Sequence, residues 1–238
     1  VNNKEFQNID INELEIFDNI NLTTLPDSFW DTPGKIITDE EYLSKPTFEV
    51  IDVDLGEKIA RKLFATLSQN RTGIALTANQ IGIPYSVFVV KVIKPLVFIN
   101  PTITMFSQYQ VTYKEQCLSL PGKKCKIKRH INLHIKSLNH PEELFFGIPE
   151  HLSSRISKKE FDKILLEVVA IQHEFDHTQG ILITDNDSTK IPIKNEKQFG
   201  RNDIVEIILP SNSEQTEQTK KIKYKKFPEY QKLGWVIN

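Results

Sequence analysis

The order of elements along this 238-residue chain predicts an α+β fold: antiparallel β-sheets packed around a long central helix bearing His-Glu-x-x-His, with N- and C-terminal extensions. Three observations carry that expectation. An amphipathic stripe marks a helix over about 54–69, and a series of short β-type runs follows between 86 and 138. One long helical pattern then covers 157–180 and contains "QHEFDH" at 172–177. The length suits one sizeable domain with extensions, and the expected division is 1–42, 43–185 and 186–238.

The elements follow in order. Residues 1–42 are polar, with Pro26, Pro33 and Gly34 breaking short apolar patches, and are expected as an extension lying on the surface. In "DLGEKIARKLFATLSQ", Asp54 is the expected cap with Glu57 three residues on, and Ile59, Ala60, Leu63, Phe64 and Leu67 form the buried stripe. "RTGIALTANQIGIP" reads as a Gly-containing loop. The runs at 86–90, 96–99, 102–106, 110–114 and 131–138 read as antiparallel strands separated by Asn, Pro and Gly. In the long helix, Ser157 and Glu160 make a capping box and Gly180 supplies the stop. Leu166, Ala170, His173 and His177 form one row along it, so an apolar wall leads up to the histidines. "NDIVEII" is compatible with a further helix, and the polar tail ends in a basic run, "KKIKYKK".

Composition excludes several classes. Lys and Arg total 30 against 31 Asp and Glu, a balance that argues against a dedicated nucleic-acid binder. No apolar run is long enough to span a bilayer, and the N-terminal stretch matches neither a transit peptide nor a signal peptide. Only Cys117 and Cys125 occur. They could pair, but two cysteines make no disulfide framework, so a reducing compartment is expected.

His173 and His177, four apart on a helix, can hold one metal ion between them, with Glu174 beside a water on that ion. The third ligand decides the chemistry. One protease pattern needs a histidine at position 183, where this chain has Ile183. A second takes a glutamate from downstream, and Glu196 or Glu206 stands at a workable distance. A third option is Cys117 in "KEQCLSLPG", at a strand end before a turn. Spacing alone leaves the last two open, and a lone buried cysteine is also an ordinary core residue.

Three ordered segments resemble the signature motifs of the peptide deformylase family. Gly73-Ile74-Ala75-Leu76-Thr77-Ala78-Asn79-Gln80 is similar to Gly-hydrophobic-Gly-hydrophobic-Ala-Ala-x-Gln. Glu115-Gln116-Cys117-Leu118-Ser119 is similar to Glu-Gly-Cys-Leu-Ser, and Gln172 to His177 matches Gln-His-Glu-hydrophobic-Asp-His in full. The resemblance spans about 43–185. It departs at Ala75 and Gln116, where the family usually has glycine, and at Thr77, where it usually has alanine. A Cβ at 75 restricts the approach of a peptide backbone.

The resemblance implies an enzyme that removes the N-formyl group from the N-terminal methionine of newly made polypeptides, releasing formate. Cys117, His173 and His177 would be the metal ligands, Glu174 the general base, and Gln80 with the Leu118 N–H the oxyanion donors. Ile74, Ala75, Gln116, Leu166, Val169 and Ala170 would bind substrate. Fe²⁺ would be the physiological ion, with Zn²⁺, Ni²⁺ or Co²⁺ as replacements. Arg129 is a candidate for holding the active-site turn, whereas His130, His134, His140 and His151 have surface or structural roles. The implied setting is the cytoplasm of a bacterium, or of a phage-infected one. A weak ribosome contact through Lys220, Lys221, Lys223, Lys225 and Lys226 is a further possibility. The competing readings are a deformylase-like protein with altered or lost activity, as a peptide-binding module or an enzyme for another amide, and a metalloprotease using Glu196 or Glu206.

Overall fold

The computed structural model describes residues 17, 21–149, 156–187, 204–209, 218–223, 226 and 236–237. The chain divides into two compact units, Val1–Ile191 and Pro192–Asn238. In the first, short helices α1 (Asp27–Asp31) and α2 (Glu40–Leu43) precede α3 (Val53–Gln69). Strands β1 (Ala75–Thr77), β2 (Val87–Lys91) and β3 (Pro95–Ile99) form an antiparallel sheet in that order. β4 (Thr102–Phe106), β7 (Leu133–Ser137) and β8 (His140–Phe146) form a second, and β5 (Gln110–Cys117) pairs with β6 (Leu120–His130) as a hairpin. Helix α4 (Lys158–Thr178) packs against β1, β2, β6 and β8, the central position expected for it.

The β1–β3 sheet is buried on both faces, and strand alternation divides its side chains between two cores. Leu76, Val87, Val89 and Ile99 face the core of α3, while Ala75, Phe88, Val90 and Phe98 face that of α4. Burial on both sides is why "SVFVV" and "LVFI" read as continuous apolar runs. A third core, around the β5–β6 hairpin, contains Cys117, Cys125, Leu182 and Ile183. Ile183 therefore packs where one protease pattern would require a ligand. Cys117 and Cys125 form no disulfide.

Several expectations are corrected. Described residues of the N-terminal stretch do not merely cover the surface: Phe17, Leu22, Phe29 and Trp30 are buried in the α3 core. Lys62 ties this segment down from below, its Nζ donating to the carbonyls of Phe29 at 2.9 Å and Thr32 at 3.1 Å. Burial lowers the Lys62 pKa to about 8. The cap of α3 is Asp52, whose side chain accepts from the Leu55 N–H at 2.8 Å, and not Asp54. The earlier start places Leu55 on the buried stripe one turn before Ile59.

Residues 71–84 are not wholly loop, since they contain β1 and a 3₁₀ turn over Ala78–Ile81. A three-residue strand is too short to show periodicity. β6 and β8 were not expected, and β5 runs three residues further than the pattern suggests. Helix α4 carries its expected cap: Ser157 Oγ accepts from the Glu160 N–H, and the Glu160 carboxylate accepts from the Ser157 N–H. Gly180 follows at φ 72°, and an added Cβ there would lie 2.4 Å from the Ser44 carbonyl oxygen, so glycine is required.

In the second unit, β9 (Ile204–Leu209) lies between β10 (Gln218–Lys223) and β11 (Val236–Ile237), all antiparallel. The "IVEII" part of "NDIVEII" is therefore strand and not helix, as its β-branched residues favour. Lys220, Lys221, Lys223 and Lys226 are exposed. Lys225, His151, Glu196 and the side chain of Glu206 lie outside the described residues. Among the described residues no helix is long and apolar enough to cross a membrane.

A candidate metal centre

β5 and α4 bring the candidate ligands together. Glu115 and Cys117, two apart near the end of β5, are both buried, and a bulge between them leaves Gln116 exposed. On α4, His173 and His177 lie one turn apart with ring centroids separated by 5.0 Å. Among the described residues, Cys117, His173 and His177 form the group whose ligand atoms all lie within 4.8 Å of one another. Cys117 Sγ is 3.3 Å from His177 Nε2. A tetrahedral ion with ordinary thiolate and imidazole bond lengths would set that separation at about 3.6 Å. The donor set and its spacing therefore fit one divalent ion.

The histidines are prepared differently. His173 Nδ1 donates to Glu115 Oε2 at 2.8 Å, which fixes the ring with Nε2 directed at the site. Burial opposes charge on His173, but hydrogen bonds with Cys117 and Glu115 outweigh it and raise its pKa well above the ordinary value. His177 is the reverse. Burial first, then repulsion from His173 and Arg129, drives its pKa well below the ordinary value, so it stands as the neutral imidazole a metal needs. Asn79 anchors this end of the helix, its Nδ2 donating to the His177 carbonyl at 3.0 Å.

A buried ion network supports His173 from behind. Arg129 Nε donates to Glu115 Oε1 at 2.7 Å, and Arg129 Nη1 donates to Asp176 Oδ2 at 2.6 Å. Burial disfavours the Glu115 carboxylate, but His173 and Arg129 together hold its pKa below the usual range. The sequence marks Glu115 and Asp176 for no role of their own, and leaves Arg129 between holding the active-site turn and an ordinary solvated strand charge. The available signals were the shared strand face of Glu115 and Cys117, and the shared helix face of His173 and Asp176, three apart. Arg129→Met would leave buried Glu115 with His173 as its remaining partner and strip half-buried Asp176 of its cation. It is expected to cost about 3–5 kcal/mol of stability by urea unfolding and to weaken metal retention about 10–100-fold in a chelator competition.

Glu174 points into the same chamber and is 3% exposed. Burial raises its pKa to about 7, against the opposing pull of His173 and a hydrogen bond from Thr77. A carboxylate so placed can both take and release a proton near neutral pH. Gln80 is oriented without ambiguity: the Thr77 N–H donates to its Oε1 at 2.9 Å, so its Nε2 faces Cys117 Sγ at 3.3 Å and Ser119 Oγ at 3.2 Å. The Ile37 N–H fixes the Gln80 backbone at 2.8 Å.

A cavity of about 380 Å³ opens over these groups and is lined by Gln80, Cys117, Leu118, His173 and Glu174. Ile74, Ala75, Gln116, Leu166, Val169 and Ala170 line it too, so the structure brings together every candidate binding residue. His177 sits behind this wall at 1% exposure. The two departures from glycine need no special backbone. Among the described residues Asn100 is the one non-glycine with positive φ, so neither Ala75 nor Gln116 occupies a conformation reserved for glycine. The remaining described histidines are elsewhere. His130 stacks on Phe106, His134 pairs with Glu143, and His140 packs on Phe98.

Residues 35–192 match the family model described as polypeptide deformylase. The chain is 34% identical over 162 residues to a peptide deformylase of Aquifex aeolicus (strain VF5), a match covering 63% of this chain and 84% of that protein. It is 30% identical over 176 residues to a peptide deformylase of Prochlorococcus marinus (strain NATL1A), covering 70% and 80%. Among solved structures, the peptide deformylase from Synechococcus elongatus in complex with actinonin aligns with a TM-score of 0.54 and 26% identity. That alignment covers 66% of this chain and 79% of the other.

Proposed function

The chain belongs to the peptide deformylase family, and from that premise we propose how its own residues carry out the reaction. The activity is hydrolysis of the N-formyl group from the N-terminal methionine of newly made polypeptides, releasing formate. The observation that carries this reading is the convergence of Cys117 and His173 with Glu174 and Gln80 on the wall of one cavity, with His177 directly behind it. Cys117, His173 and His177 would hold a single divalent ion, which when bound supplies Lewis acidity and lowers the pKa of a water in the open position. Fe²⁺ is the ion we propose, although thiolate and imidazole donors also accept Zn²⁺, Ni²⁺ or Co²⁺.

Glu174 takes the proton of the attacking water and passes it to the departing amine. Gln80 Nε2 and the Leu118 N–H donate to the oxygen that becomes negative as water adds to the formyl carbon, each worth about 3 kcal/mol. Leu166, Val169 and Ala170 on α4 and Ile74 beside β1 form an apolar seat for the methionine side chain. Ala75 narrows the approach of the peptide backbone, and Gln116 adds a polar side chain at the rim. Residues 43–185 would contain all of this machinery, with the flanking segments as extensions.

The exposed lysines Lys220, Lys221, Lys223 and Lys226 favour an anionic partner, and we propose ribosomal RNA in a bacterial cytoplasm. Salt-sensitive cosedimentation with ribosomes that disappears on deletion after residue 210 is expected. Pelleting that ignores both salt and deletion overturns this contact. The activity itself is tested with formyl-Met and acetyl-Met peptides, assayed anaerobically with iron. Formate release from the first and negligible turnover of the second are expected, because an added methyl must fit beside Gln80 and Glu174. Silence on formyl-Met with one ion bound per chain would overturn the reading.

A further inference from the structure

We propose that the Thr77 hydroxyl is a positioning device for Glu174, an inference that rests on the deformylase reading. Thr77 ends β1 and is completely buried. Its Oγ1 lies 2.7 Å from Glu174 Oε2 and 3.1 Å from the Glu174 main-chain oxygen. The hydroxyl has one proton to give, and the shorter contact gives it to the Glu174 carboxylate, with the Glu174 carbonyl as the weaker second acceptor. A three-bond side chain in a cavity wall has several rotamers, and this hydrogen bond selects one of them.

The same residue also orients Gln80, which lines the same chamber. Its N–H donates to Gln80 Oε1, which turns Gln80 Nε2 toward Cys117. That bond needs only a backbone amide, so any residue except proline supplies it. What threonine adds is the hydroxyl. Alanine, the residue usual at this place in the motif, could not make the second tie. The β-branched side chain is itself stiff at χ1, so the donor is held in place and pays little entropy to reach the carboxylate.

A buried hydroxyl that merely satisfied itself would predict different behaviour from one that holds a base. The full-length, iron-loaded protein is compared with Thr77→Val, Thr77→Ser and Thr77→Ala. Each is read by kcat and KM on a formyl-Met peptide, by bound metal, and by the carboxylate stretching band of Glu174. That band is isolated in the infrared by subtracting the spectrum of Glu174→Gln. Thr77→Val is expected to lower kcat on the order of tenfold, with KM changed by less than about twofold, metal retained and the band shifted. Thr77→Ser restores both kcat and the band. Thr77→Ala, which removes the hydroxyl without setting a methyl group against the carboxylate, gives the same answer if the valine variant does not hold metal.

An unchanged kcat and band in the valine variant overturns the proposal. So does a serine variant that fails as badly as valine while holding its metal, since packing would then be the cause. A wild-type protein that releases no formate, with the band still moving in valine and returning in serine, upholds the tie and rejects the deformylase reading instead.

Discussion

Cys117→Ala is expected to release the metal and to reduce formate production by a thousandfold or more. The expectation follows from geometry: Cys117 Sγ is 3.3 Å from His177 Nε2 and belongs to the one group of described ligand atoms able to surround an ion. Removing the thiolate leaves two imidazoles, too few to retain a catalytic ion against water and buffer. Lewis acidity worth several kcal/mol disappears with it, and about 4 kcal/mol corresponds to a thousandfold in rate. Metal analysis after gel filtration and a formate assay check both halves. Glu206→Ala, by contrast, is expected to keep one ion per chain. Loss of metal there, with metal retained in Cys117→Ala, would favour a downstream glutamate as ligand.

Glu174→Gln is the second large effect, and it separates chemistry from metal binding. The amide can still accept the Thr77 hydrogen bond but cannot take a proton, so the fold and the ion are expected to persist. The rate should fall by about 10²–10⁴, the usual worth of a positioned general base. KM for a formyl-Met peptide should change little. Burial lifts the Glu174 pKa to about 7, above its ordinary value. In the metal-free protein the neutral carboxyl is therefore favoured by folding, and its contribution to stability is lost as pH rises through about 7. The glutamine variant, which has no such titration, should show a flatter stability profile there by urea unfolding.

The ligands were legible because each sat in a recognisable pattern. His173 and His177 showed their common face through helical spacing, whereas Cys117, one of two options that spacing left open, was singled out by the resemblance of Glu115–Ser119 to a family motif. The supporting groups were harder to see. Glu115, Arg129 and Asp176 come from two strands and a helix, and nothing local says that three charges far apart in sequence will be buried together. Arg129 in "KIKRH" looks like one more surface charge. Only the alternation of buried Cys125, Ile127 and Arg129 with exposed lysines gives its direction away.

The strands behaved similarly. β2 and β3 were plain because both faces are buried, whereas β6 was masked by Gly122 and its run of lysines. The N-terminal stretch was misjudged because Phe17, Phe29 and Trp30 are scattered among polar residues and follow no single period. Their burial depends on tertiary packing against α3. Thr77 was visible as a departure from the family motif, but the partner of its hydroxyl lies 97 residues away.

The central claim, that one ion is held by Cys117, His173 and His177 with a position left open, is tested most directly by X-ray absorption at the metal edge of the loaded protein. The account predicts one sulfur at about 2.3 Å and three nitrogen or oxygen neighbours at about 2.0–2.2 Å, two with the outer-shell signature of imidazole. A first shell without sulfur, or with two sulfurs, would contradict it.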